Sequence, residues 1–187
     1  MENKRLDSYQ DVAIPDTWGE LKKSLVMALE KCKEKYYLGK VQSTATTWEQ
    51  IPVAQSKLVR YVENILRNTL NALDNTDGGD KELAIYFYDE DNTFAFTIAD
   101  MAHEFPLQIL TNLGQRSNGN GFVEMFEFIA ESGASLIITE YKEQGIPRKS
   151  LKTIFDGKER IVITSDYRYE ELKQAISDSR IEVVEYE

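Results

Sequence analysis

Apolar residues recur along this chain with two periods, and each period predicts its own kind of element. Between about 54 and 73 the spacing is helical, with a buried stripe and a polar opposite side. The predicted stripe consists of Leu58, Val62, Ile65, Leu66, Thr69 and Leu73, and the opposite side of Arg60, Asn64, Asn68 and Asn71. A similar stripe predicts an earlier helix from Asp16 or Thr17 to about Lys35, which Gly39 ends.

A period of two predicts strands in the rest of the chain, as at Phe94, Phe96 and Ile98. Predicted strands cover about 40–47, 82–88, 93–99, 135–140, 151–155, 160–164 and 181–186, and further helices about 121–132 and 168–176. This order predicts an α+β fold: a two-layer α/β sandwich whose mixed, mostly antiparallel sheet carries helices on one face.

The predicted domain covers 12–187 and includes a C-terminal helix-strand extension, 166–187. Residues 1–11 are predicted to be a disordered tail or the stump of an upstream helix.

Composition and charge exclude several classes of function. The 187 residues are 42% hydrophobic, which is typical of a folded globular protein. A formal charge of −10 argues against nucleic acid or an anionic membrane as a partner. The single cysteine, Cys32, and the lack of a long apolar run predict a cytoplasmic protein, or the cytoplasmic end of a membrane-bound sensor, without direct membrane insertion.

Three short patterns carry candidate chemistry. Asn64 and Asn68, spaced i and i+4, project from one helix face and offer amide oxygens to Mg²⁺, although such a face is more often simply solvated. Asp100 ends an apolar strand, where a carboxylate either reads a ligand or bonds to its own loop. Gly119 and Gly121 precede a helix whose free N–H groups suit phosphate, or form a flexible loop.

In this order the three patterns resemble the GHKL superfamily of ATPases, and within it the ATP-binding domain of sensor histidine kinases of the Gram-positive peptide-sensing type. Residues 63–69, Glu-Asn-Ile-Leu-Arg-Asn-Thr, resemble the N-box. Residues 100–106, Asp-Met-Ala-His-Glu-Phe-Pro, are similar to the first Gly box, and 119–122, Gly-Asn-Gly-Phe, to the second. The likeness extends over about 12–165 and implies that the chain binds ATP and Mg²⁺.

The resemblance also implies a role for each matched residue. Asn68 would bind Mg²⁺, with Asn64 beside the phosphates. Asp100 would read the adenine amine, next to Ala102 at the position of a family glycine. On the phosphate side of the pocket, Gly119 and Gly121 match the second Gly box. Val123 and Glu124 replace the residues that continue this box in the family, and the lid is reduced to 115–118. The Gly boxes are therefore degenerate.

Three functions remain open on these residues. The first is a Mg-ATP-binding catalytic domain that acts on a phosphoacceptor outside this chain, since the one histidine, His103, lies in the first box. Its protein partner would be a phosphoacceptor domain or a response regulator. The alternative is a catalytically degenerate pseudokinase or regulatory protein-binding module. A serine kinase of the anti-sigma type is the less favoured third function.

Overall fold

The computed structural model describes residues 14–77, 80–100, 120–176 and 179–186, with side chains omitted for 120–122. Within these ranges the helices are α1 (Gly19–Glu34), α2 (Gln55–Asp74), α3 (Asn120–Ser132) and α4 (Tyr169–Ala175). The strands are β1 (Leu38–Ser43), β2 (Glu82–Glu90), β3 (Thr93–Asp100), β4 (Ser135–Glu143), β5 (Ile146–Ile154), β6 (Ile161–Ser165) and β7 (Ile181–Glu185). None of the described helices is long and apolar enough to cross a bilayer.

The strands form one mixed sheet in the order β1-β2-β3-β5-β4-β6-β7. The three central pairings, β2 with β3, β3 with β5 and β5 with β4, are antiparallel. The three outer pairings, β1 with β2, β4 with β6 and β6 with β7, are parallel. The central hairpins turn within two residues, at Asp91-Asn92 and at Gln144-Gly145, and all four residues adopt positive φ.

The core lies on one face of this sheet, where alternate strand residues meet the helices. The strands contribute apolar side chains that are almost completely buried, including Leu83, Ile85, Phe87, Phe94, Phe96, Ile98, Leu136 and Ile138. Along the opposite face run half-exposed residues such as Tyr86, Thr97 and Lys152, which lie side by side in register. The predicted fold class, with a mixed sheet and helices on one face, is confirmed.

Helix α1 ends before Gly39, and the prediction that this glycine ends it is wrong. The chain reverses at Tyr36, whose φ is 60°, and Gly39 lies inside β1. A Cβ at Gly39 would stand 2.9 Å from Leu29 Cδ2 and 3.3 Å from Cys32 Cβ. The glycine therefore allows α1 to approach the edge strand closely.

Asp89 ties the connection after β1 to the end of β2. Thr46 donates to its carboxylate from both the backbone N–H and the hydroxyl, and Thr47 does the same. These hydrogen bonds, those of the hydroxyls first, lower the pKa of Asp89 to about 2. The ionised carboxylate therefore fixes the connection 44–47, which is neither helix nor strand.

We expect the substitution Asp89→Asn to lower the free energy of unfolding by about 1 kcal/mol at neutral pH, because Asp89 is half-exposed and screened by solvent. Since the folded pKa lies below the unfolded value of about 4, this contribution is present above pH ~4 and is lost towards pH 2. Urea unfolding measured across that window should show the difference between wild type and variant shrinking. Asp91→Asn, in the adjacent exposed turn, should change neither quantity, and an equal effect of both variants would contradict the assignment.

Candidate functional site

A row of charged side chains crosses the sheet at the end of β3. Asp100 lies directly opposite Lys149 of β5, and Lys149 lies opposite Glu140 of β4. Partners in register share a face, and these three residues continue the alternation of Ile98, Leu151 and the other core residues. The row therefore points into the helix-covered side of the sheet.

All members of this row are deeply buried. The side chains of Asp100 and Glu140 have no exposed surface, and that of Lys149 is 10% exposed. The Nζ atom of Lys149 lies 3.8 Å from Oδ2 of Asp100, which is an ion pair beyond the length of a direct hydrogen bond. Since a buried charge is stable only when it is matched, Lys149 supplies the opposite charge that the Asp100 carboxylate needs at this position.

Arg168 completes the row from the segment between β6 and α4. Its Nε donates to Glu140 Oε1 at 3.0 Å, and its Nη2 donates to Oε2 of the same carboxylate. The backbone N–H of Arg168 donates in turn to Ser165 Oγ. Two-point contact between a planar guanidinium and a carboxylate fixes both groups, so the row alternates in sign and sums to zero charge.

Helix α2 carries Asn64 and Asn68 towards the Asp100 end of the sheet. Near its start, Tyr61 packs on Phe96 in the middle of β3 and shares a hydrogen bond of 2.8 Å with Thr153. At its end, Asp74 reaches the residues that precede β1, and β1 begins beside the start of β2, which is opposite Asp100. The two asparagines lie between these fixed points.

Asn64 is buried, contrary to its predicted place on the polar side of the helix, because α3 packs against α2. Its Nδ2 donates to Glu124 Oε2 at 2.6 Å, and Arg60 Nη2 donates to Oε1 of the same carboxylate at 2.7 Å. The Arg60 hydrogen bond, followed by that of Asn64, lowers the pKa of Glu124. Glu124 thus stays ionised in the first turns of α3, where a helix favours an anion.

The other predicted site residues divide between the described and the undescribed parts of the chain. Asn68 is half-buried on α2, and Gly121 lies in the first turn of α3. Ala102, Gly119 and the lid at 115–118 lie outside the described residues, as does the tail at 1–11. Among described residues, no group of three or more His, Cys, Asp or Glu could hold a metal ion. The role of Asn68 as a Mg²⁺ ligand stays a prediction.

No family model and no curated protein matches this sequence. Solved structures do match it. The catalytic domain of the histidine kinase ThkA, nucleotide free, superposes with a TM-score of 0.53 at 12% identity over 72% of this chain and 90% of that one. The chain has the fold of a histidine kinase catalytic domain.

Two other kinases share this histidine kinase fold. The histidine kinase AdeS of Acinetobacter baumannii matches with a TM-score of 0.53 at 12% identity, over 81% of this chain and 74% of that one. The blue-light activated histidine kinase of Erythrobacter litoralis matches with the same score and identity, over 74% and 61%. At such low identity the likeness concerns the backbone.

Sequence reasoning missed three charged residues that this histidine kinase fold places in one row with Asp100. Lys149 and Glu140 fall on the buried positions of their strands, in step with Leu151 and Ile138. A charged residue at a core position is a usable signal, because burial is costly unless a partner is present. Arg168 gives no such signal, because it stands at the start of the predicted helix 168–176, where a charged residue is not unusual.

Proposed function

We propose that this chain is a Mg-ATP-binding domain of the sensor histidine kinase type, which acts on a phosphoacceptor outside this chain. The observation that carries the proposal is the buried, ion-paired carboxylate of Asp100 at the end of β3 in a histidine kinase fold. An ionised carboxylate that is kept from water accepts a hydrogen bond from an amine strongly. The exocyclic amine of adenine supplies such a donor.

The remaining predicted residues fit the rest of the nucleotide. Asn68 is half-buried on the stretch of α2 that runs towards Asp100, and its amide oxygen suits Mg²⁺, which keeps water and phosphate oxygens as its other ligands. When bound, the ion neutralises charge on the phosphates during transfer. In this proposal Gly119 and Gly121 bring backbone N–H groups close to the phosphates, and Ala102 lies beside the adenine base.

The protein partner in this proposal is a phosphoacceptor domain or a response regulator, as in the peptide-sensing kinases of Gram-positive bacteria that the sequence resembles. His103, the one histidine of the sequence, belongs to the segment that resembles the first Gly box. It is therefore assigned to the nucleotide loop, and the phosphoacceptor to another segment or chain.

Calorimetric titration with ATP in excess Mg²⁺ tests the proposal directly. We expect saturable binding with a dissociation constant at or below about 1 mM, equivalent to about 4 kcal/mol. Omission of Mg²⁺ should weaken binding, and Asn68→Ala should remove that dependence. The absence of binding at millimolar nucleotide would refute the function, whatever the partner.

A second candidate is a pseudokinase or regulatory module that keeps the fold for protein contacts. The contact between Glu124 and Asn64 favours it, because a carboxylate occupies the amide that the resemblance assigns to the phosphate side. Two like charges at close range repel by roughly 1 kcal/mol even in bulk water. In this candidate the altered Gly boxes no longer bind the phosphates of ATP.

Glu124→Gln separates the two candidates. The glutamine keeps one carbonyl oxygen, which can accept from either Asn64 or Arg60, and it carries no charge. We therefore expect ATP to bind about fivefold more tightly than to the wild type. Glu127→Gln, one turn along the same helix and exposed, is the matched control and should leave affinity unchanged. If neither wild type nor Glu124→Gln binds ATP, the protein-binding module is the better description.

A further inference from the structure

We propose that Lys149 is a second base-reading residue, which donates a hydrogen bond from Nζ to N1 of adenine while Asp100 accepts one from the exocyclic amine. This inference rests on the proposed function, since it specifies how the same pocket reads its base. It assigns to Lys149 a role beyond balancing the charge of Asp100.

The position of Lys149 supports this role. It lies opposite Asp100 on the neighbouring antiparallel strand and on the same face of the sheet. The ammonium is 3.8 Å from Asp100 Oδ2, so the two groups stand side by side instead of being joined by a direct hydrogen bond. A ligand edge that meets one of them therefore meets the other.

The chemistry of the pair matches one edge of adenine. Asp100 is an acceptor and Lys149 carries three N–H donors on its ammonium. Adenine presents a donor and an acceptor on adjacent atoms, the exocyclic amine and N1, and bases in pockets are read along this Watson–Crick edge. The two side chains thus complement two neighbouring atoms of the base.

The other neighbour of Lys149 does not compete for it. Glu140 lies opposite Lys149 on its far side, but both carboxylate oxygens of Glu140 accept from Arg168. The charge of Glu140 is therefore matched from the C-terminal side of the sheet. Lys149 is left to act with Asp100, and the buried position of both groups strengthens any hydrogen bond they make to a ligand.

The test compares ATP with 1-deaza-ATP, in which N1 is replaced by C–H and the amine is retained. Both are titrated calorimetrically into the full chain with Mg²⁺. We expect wild type to bind 1-deaza-ATP about tenfold more weakly than ATP, because a hydrogen bond from a charged donor is lost. We expect Lys149→Met to bind the two nucleotides equally. The four affinities then form a double-mutant cycle, which measures the interaction of Lys149 with N1.

Charge balance alone gives a different result. If Lys149 only neutralises Asp100, Lys149→Met weakens both nucleotides alike, and the wild type does not distinguish them. Equal binding of ATP and 1-deaza-ATP to wild type overturns the inference while leaving the proposed function intact. A tenfold preference that persists in Lys149→Met overturns it too, since another group then reads N1. Failure of wild type to bind ATP overturns both.

Lys149→Gln provides a second variant, which separates the hydrogen-bond donor from the buried positive charge. Glutamine keeps an N–H donor and loses the cation, so we expect a residual preference for ATP over 1-deaza-ATP of about threefold. No preference in Lys149→Gln, with preference in wild type, assigns the effect to charge and contradicts direct donation. Circular dichroism and urea unfolding establish that each variant is folded at the titration temperature.

Discussion

Arg168→Met should lower the free energy of unfolding by about 3–5 kcal/mol, since it leaves Glu140 buried and charged without its cation. The side chain of Glu140 has no exposed surface, and Arg168 supplies both of its guanidinium hydrogen bonds. Methionine matches the length of the arginine stem, so the loss reports the charge more than the packing. For a domain of this size the midpoint of thermal unfolding should fall by about 10 °C.

Urea unfolding of two further variants tests the physical reason. The double variant Glu140→Leu with Arg168→Met removes both charges and should recover most of the lost stability, because a buried ion pair replaced by apolar side chains is often close to neutral. Arg160→Met changes an exposed arginine and should alter stability by less than about 0.5 kcal/mol. A loss below about 1 kcal/mol for Arg168→Met would show that water reaches Glu140.

Asp100→Asn should weaken ATP binding about 100-fold. In the proposed function, the change removes the anion that would accept from the adenine amine, and the new side chain can present an N–H group to that amine instead. It also leaves the buried Lys149 facing a neutral residue, so the pocket prefers an anion that adenine lacks. Calorimetry with ATP and Mg²⁺, at a temperature where the variant is folded, measures the effect.

Asp89→Asn is the matched control for this variant. Asp89 lies at the other end of β2 from Leu83, the cross-strand partner of Asp100, and its own partners are Thr46 and Thr47. It should cost stability without changing ATP affinity. If Asp100→Asn binds ATP with an affinity within threefold of wild type, Asp100 does not contact the adenine base.

The sequence predicted the elements well and the charged row not at all. Periodicity is a local property, so α2, β2 and β3 were found within two residues of their bounds, whereas β5 begins at Ile146 and not at the predicted position 151. The row depends on the strand order, which places β5 between β3 and β4 and so brings Lys149 next to Asp100. No local pattern reports that order, because β3 and β5 pair although a helix, α3, and another strand, β4, stand between them along the chain.

The contact between α2 and α3 was foreseen only in part. The sequence identified Glu124 as a departure from the second Gly box, yet it placed Asn64 on the polar side of its helix. Burial of Asn64 requires α3 to lie across that face, and the polar character of one helix cannot reveal its neighbour. Residues 101–119 stay with the sequence prediction, so Ala102 and Gly119 keep their assigned roles as expectations.

The pairing of Glu140 with Arg168 sets a limit on where the polypeptide can be shortened. Arg168 follows β6, and β6 pairs with β4, the strand that carries Glu140. A version of the chain that ended before Ile161 would strip the cation from Glu140 and turn β4 into an exposed edge. Engineering a minimal kinase-like domain from this sequence therefore requires either the whole C-terminal unit or an apolar residue at position 140.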